Sequence, residues 1–183
     1  IAPPTPAGVY LHIHGGAGSD VMEQDGVRVV GRFLPHHGVT SYLPTTVTAP
    51  VDKTLSALDR IADSIERCDD RGARPRGIHL EGPFLSHARR GVHPEKDLLK
   101  PSVQIFTRFW EAARGHIRMM TIAPELDGAL ELIAEAASRG VLMSLGHSDA
   151  SMDSARRAIE AGARHATHTF NAMRPLDHRS PGI

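Results

Sequence analysis

Apolar and polar residues alternate in VYLHIHGG (9–16) and the run stops at glycine, which predicts a strand. Val9, Leu11 and Ile13 would share one face of it, and Tyr10, His12 and His14 the other. GVTSYLPTTVT (38–48) is β-branched and strand-like. After Pro50 the period lengthens: Leu55, Leu58, Ile61, Ala62, Ile65 and Cys68 fall at helical spacing, and Gly72 follows the end. RGIHLEGPF predicts a short strand ending at Glu81, followed by a polar loop through Glu95. Residues 101–113 place Val103, Ile105, Phe106, Phe109, Trp110 and Ala113 on an amphipathic helix. HIRMMTIAPE (116–125) predicts a strand, ELDGALELIAEAASRG a helix closed by Gly140, and VLMSLGH (141–147) a buried strand. SDASMDSARRAIEAG predicts a helix with Ser148 or Asp149 as N-cap and Gly162 beyond its end. ARHATHTFNAM adds one more short strand, the last ten residues read as loop, and residues 1–8 form a Pro-rich extended lead-in. Six strands, with a helix after most of them, predict an α/β fold built on a parallel sheet in a single domain.

Composition narrows the classes. The chain has 183 residues, 40% hydrophobic and 23% charged, which are globular values and exclude a disordered chain. Lys and Arg number 21 and Asp and Glu 21, so no net charge recruits nucleic acid or an anionic membrane. No apolar run approaches the roughly 18–20 residues of a membrane helix, and no signal peptide is expected ahead of the first strand. A single cysteine, Cys68, allows no internal disulfide and favours a reducing cytosol. The unusual count is 12 histidines, so a transition metal would be held by imidazole and carboxylate rather than thiolate.

The polar residues that end successive predicted strands are His12 and His14, Glu81, His147 and His168. In parallel α/β folds, and in (β/α)8 barrels above all, active sites are built on that edge. His-x-His puts two imidazoles on one strand face, and a set of histidines with one carboxylate is the ligand pattern of a catalytic zinc-type site. Spacing alone does not separate a hydrolytic site from a structural metal. His36 and His37 read as helix-end imidazoles that complement the dipole, and His87, His116 and His178 as ordinary polar residues. His79 shares a face with Glu81 and is at most a pocket residue. Arg89 and Arg90 read as a solvated basic loop, whereas Asn171-Ala172 with Arg174 and Arg179 offers turn amides and guanidinium groups suited to an anion.

HIHGGAGSD, HGVTSYLPTTVT, GIHLEGPFLSHARRGVHPE, TIAPE, SLGHSDA and HATHTFNAMRPLDHRSPG occur one after another in the order seen in one family. From about residue 6 onward, the chain resembles the N-acetylglucosamine-6-phosphate deacetylases of the amidohydrolase superfamily. The resemblance implies a TIM-like (β/α)8 metal-dependent hydrolase barrel, incomplete over 1–183 at about strands 1–6. A small β-sandwich and the last barrel strands would be absent, and the family's general acid/base Asp would lie beyond Ile183. It also implies Glu81, His147 and His168 as ligands of the main metal, with His12 and His14 completing a second position. His93 resembles the catalytic loop histidine that contacts substrate near the acetamide. Asn171 and Ala172 resemble main-chain phosphate contacts, and Arg179 the phosphate-binding arginine. Tyr10 stands where the family carries an Asp two residues before the first histidine.

The activity expected from this resemblance is deacetylation of N-acetylglucosamine 6-phosphate to glucosamine 6-phosphate and acetate. Zinc is the first choice of divalent metal, as one or two ions, with iron, manganese or cobalt as alternatives. A cytoplasmic homodimer is implied for the full-length protein, with a sugar phosphate as partner and neither nucleic acid nor membrane. Two other readings stay open: another amidohydrolase acting on a different amide, and a truncated, non-catalytic fragment that binds metal or sugar phosphate.

Overall fold

In a computed structural model, which describes residues 8–67 and 71–183, six strands form one sheet whose spatial order is their chain order. They are β1 (Gly8–Ile13), β2 (Val39–Thr46), β3 (Ile78–Glu81), β4 (Ile117–Ile122), β5 (Leu142–Leu145) and β6 (His165–Ala166). Every neighbouring pair is parallel. A parallel connection needs a crossover, and each of the five carries a helix: α1 (Gly26–Phe33), α2 (Val51–Arg67), α3 (Val103–Ala112), α4 (Ala129–Ser138) and α5 (Met152–Ala161). Arg74–Pro75 adds a short parallel pair beside β2, and Gly15–Gly16 with Ser19–Asp20 forms a small antiparallel hairpin.

The core lies between the helices and the outer face of the sheet. On α2 the buried positions Thr54, Ala57, Leu58, Ile61 and Ala62 make one stripe at helical period, as the sequence predicts. Tyr42, Leu80, Met120, Met143 and Leu145 meet such stripes from the strands. The alternate strand positions Thr45, His79, Glu81, Thr121 and Ser144 face inward, and they are polar although buried. In a flat sheet, five steps of about 4.8 Å would hold the outer strands roughly 24 Å apart. Instead, the ring of His12 on β1 lies 5.6 Å from that of His168, two residues past β6. The sheet is curled into part of a (β/α) barrel, and its inner face is the polar one.

Val9 and Leu11, which share one face of β1, are 59% and 44% accessible, because among the described residues β1 pairs with β2 alone. Two expectations need correction. The N-cap of α5 is Ser151, which accepts from the Ser154 N–H, and not Ser148 or Asp149. Ser148 donates to Glu125 and Asp149 accepts from two arginines, so both are engaged elsewhere. Of the final predicted strand, His165–Ala166 pairs with β5 and Met173 makes an isolated parallel bridge to Ser148, with a turn between them. Residues 1–7 of the Pro-rich lead-in and Cys68 lie outside the described residues. Among the described residues no helix is long and apolar enough to cross a membrane.

Candidate metal centre

Curling brings the strand ends to one point, and Glu81 occupies it. This carboxylate is 2% exposed and faces five imidazoles. His14 Nε2 and His93 Nε2 lie 3.1 and 3.4 Å from Oε2. His168 Nε2, His147 Nε2 and His12 Nδ1 lie 3.4, 3.5 and 3.9 Å from Oε1. Two ligand-like groups share Glu81: one with His12 and His14, the other with His147 and His168. His147 and His168 have φ of 47° and 30°, a left-handed backbone that non-glycine residues adopt only when the surroundings hold it. Strain of this kind concentrates where a side chain must be aimed.

Hydrogen bonds fix which nitrogen faces the centre. The Nδ1–H groups of His14, His147 and His168 donate to the carbonyls of Thr45, Arg89 and Asn171 at 3.0, 2.9 and 3.1 Å. A carbonyl only accepts, so each ring presents Nε2 to Glu81, where it donates to the carboxylate when protonated and offers a lone pair to a cation when neutral. Two of these nitrogens, on His147 and His168, stand 3.1 Å apart. His93 has the opposite arrangement. Its Nδ1 accepts from the Thr48 N–H at 3.2 Å, so its Nε2 carries the proton and points inward as a donor. Gly82, at φ +78°, keeps this contact open, since a Cβ there would lie 2.2 Å from Thr48 Oγ1.

Burial pushes the Glu81 carboxyl up, but the imidazoles of His14, His147, His168 and His93 that face it outweigh burial and hold it well below its usual range. Burial also lowers His14, yet the bond and charge of Glu81 hold it above its ordinary value. His168 is raised, chiefly by the Glu81 carboxylate that faces its Nε2. His12 is lowered by burial. Burial, with the neighbouring His12, pushes His79 down to about 3. Glu81 Oε1 and His12 Nδ1 are buried with no hydrogen-bond partner among the described residues. Unpaired buried polar atoms beside converging lone pairs fit a divalent cation, and the nitrogen and carboxylate donors suit zinc.

The fold therefore gathers His12, His14, Glu81, His93, His147 and His168. Asn171 and Ala172 follow His168 in the same turn, the Asn171 carbonyl orienting His168 and the Ala172 carbonyl accepting from Ser148 N–H. Arg179 is exposed in the final segment, where its N–H donates to Asp177. Arg89 is no freely solvated loop residue: Arg89 and Arg174 both donate to Asp149, each at 2.9 Å. That bridge ties the loop after β3 and the turn after His168 to the residues just past His147. Pairs 60 and 25 residues apart leave no mark in local sequence.

No family model matches the chain. It is 39% identical over 183 residues to N-acetylglucosamine-6-phosphate deacetylase of Bacillus subtilis (strain 168), covering 97% of this chain and 46% of that protein. The Homo sapiens protein of the same name is 39% identical over 186 residues, covering 97% and 45%. N-acetylgalactosamine-6-phosphate deacetylase of Escherichia coli O157:H7 is 38% identical over 181 residues, covering 97% and 48%. Among solved structures, N-acetyl-D-glucosamine-6-phosphate deacetylase from Mycobacterium smegmatis superposes with a TM-score of 0.91 at 38% identity, over 97% of this chain and 46% of that one. A mutant of that enzyme, solved in complex with N-acetyl-D-glucosamine-6-phosphate, matches equally well. The chain spans about half the length of the curated relatives it matches. By sequence and by fold, the chain is similar to about half of an N-acetylglucosamine-6-phosphate deacetylase.

Proposed function

We propose that the protein containing this chain hydrolyses the acetamide of N-acetylglucosamine 6-phosphate to glucosamine 6-phosphate and acetate. The observation that carries this reading is the division of labour around Glu81: three inward Nε2 atoms on His14, His147 and His168, each free to bind a cation once deprotonated, and one inward N–H on His93. Glu81, His147 and His168 would hold the main divalent cation, zinc by its donor set, and His12 and His14 a second with Glu81. When bound, the cation supplies Lewis acidity toward a water and an amide carbonyl. His93 donates its Nε2 proton to the oxygen that gains charge as the amide is attacked, and its Thr48 contact holds it in that state. The carboxylate that takes the proton of the attacking water is assigned by the resemblance to a residue outside these 183.

Binding at a distance from the reacting bond orients the amide. The main chain of Asn171 and Ala172 and the guanidinium of Arg179 would take the phosphate. The same reading extends to a cytoplasmic homodimer. The E. coli relative named for the galactosamine epimer makes that sugar a second substrate to assay.

The test is steady-state deacetylation by the full-length protein, with phosphorylated and unphosphorylated sugars. His168→Ala should abolish cation-dependent turnover, and Arg179→Ala should mainly raise KM for the phosphorylated sugar. An equal loss on both sugars in Arg179→Ala would refute the phosphate assignment.

A further inference from the structure

Strand β1 reaches the cluster on an incomplete ladder. Its register to β2 shifts between Tyr10 and Ile13, leaving Leu11 and His12 without paired positions. Side chains take over the backbone bonds there. The Ile13 N–H donates to Thr45 Oγ1 at 2.9 Å, and the Leu11 carbonyl accepts from His79 Nδ1 at 3.0 Å. His79 is fully buried, with its ring edge-on to that of His12 at 5.1 Å. The Leu11 carbonyl shares a rigid peptide plane with the His12 nitrogen, so whatever holds it sets the direction in which the His12 side chain leaves.

One fixed acceptor determines every proton in this region. Because the Leu11 carbonyl only accepts, His79 Nδ1 carries the proton, and Nε2 of the neutral ring accepts from Thr121 Oγ1 at 2.7 Å. Its single proton spent, Thr121 accepts from Thr167 Oγ1 at 2.8 Å. Thr167 in turn accepts from Ser144 Oγ, and Ser144 from His165 Nδ1–H at 2.9 Å. A directed hydrogen-bond chain thus runs across the inner face from β6 to β1 and ends on the residue before His12. Its hydroxyls are buried, where such chains strengthen one another and rigidify what they join. The tautomers of His147 and His168 are set separately, by the Arg89 and Asn171 carbonyls.

We propose that His79 and Thr121 are positioning residues for the second cation position. Through the Leu11 carbonyl they hold His12 and His14 against Glu81, while the position formed by Glu81, His147 and His168 does not depend on them. This inference rests on the two-cation reading given above.

The test compares Thr121→Val, which removes the hydroxyl at near-constant volume, with Thr121→Ser, which keeps it. Cobalt(II) titration of the full-length protein, followed by visible absorption and by metal analysis after dialysis, gives the number and affinity of bound ions. Long-range 15N correlation spectra of the metal-free chain give the His79 tautomer. The wild type should take two ions and show a single Nδ1–H signature for His79. In Thr121→Val the second ion should bind about 10–100-fold more weakly with the first unchanged, the usual cost of losing a partner that orients a ligand. The His79 Nε2 resonance should move as it loses its donor while Nδ1 stays protonated against the Leu11 carbonyl, and Thr121→Ser should restore both the affinity and the Nε2 resonance. Thr167→Val, which breaks the chain one step further away, is read in the same way if Thr121→Val does not fold. Unchanged affinity for the second ion in Thr121→Val would overturn the inference and leave the two-cation reading standing. A wild type that takes only one ion would overturn both.

Discussion

Replacing Glu81 by Gln removes the charge on which five imidazoles converge while keeping the volume. In the metal-free protein the folded-state carboxyl sits below its ordinary value of 4.5, and His14 and His168 sit above theirs of 6.5. A depressed carboxyl contributes stability that is present above its unfolded value and fades as pH falls through the folded one. Raised imidazoles contribute stability that is present below their unfolded value and is lost as pH rises through the folded ones. The cluster therefore stabilises the metal-free chain most between 4.5 and 6.5. Each hydrogen bond to a charged group is worth about 1.5–3 kcal/mol net. His14 and His168 are partly exposed and a glutamine amide still bonds, which lowers the total cost to about 2 kcal/mol. For a chain of this size that is a fall in Tm of about 4–8 °C at slightly acid pH. Calorimetric melts of chelator-treated wild type and Glu81→Gln from about pH 5 to pH 8 measure it, and the gap should narrow toward the alkaline end. A variant as stable as wild type at slightly acid pH, or a wild-type Tm that climbs steadily through neutrality, would refute the reasoning.

A divalent ion must displace the protons that Glu81 draws onto His14 and His168, so the zinc-induced rise in Tm should grow with pH and loading should release protons into weak buffer. Uptake independent of pH would count against the protons that Glu81 holds on His14 and His168. Tyr42→Phe removes the donor to the buried Val27 carbonyl, a 2.8 Å bond, and should cost about 1–2 kcal/mol in urea unfolding with no change in cation affinity. Gly82→Ala drives a Cβ into Thr48 Oγ1 at a positive φ; it should cost about 1–3 kcal/mol and shift the His93 imidazole signals, which unchanged spectra would contradict.

The strand-end chemistry was legible because period and punctuation both mark it. His12, His14, Glu81, His147 and His168 each close a strand or lie within two residues of its end, and the parallel order puts all those ends on one edge. The inner hydrogen-bonding partners were not legible. His79 shares a sequence face with Glu81, but its burial and its bond to Leu11 depend on how far the sheet curls. The cap of α5 was misassigned because SDAS offers three side-chain acceptors within four residues. The choice among them is made by Glu125, Arg89 and Arg174, which arrive from elsewhere in the chain. The exposure of β1 was hidden for a similar reason: alternation tells which residues share a face, and only the sheet tells whether that face is covered.

The edge position of β1 bears on how the sheet is completed. Gly8–Ile13 is a six-residue strand with no proline, lysine or acidic residue, and Val9, Tyr10 and Leu11 stand open beside its backbone. Such an edge is a template onto which another polypeptide can add a strand, and natural sheets blunt it with charge, proline or a covering loop. Among the described residues β1 is therefore the edge on which a further parallel strand can pair, as closure of the (β/α)8 barrel implied by the resemblance would require.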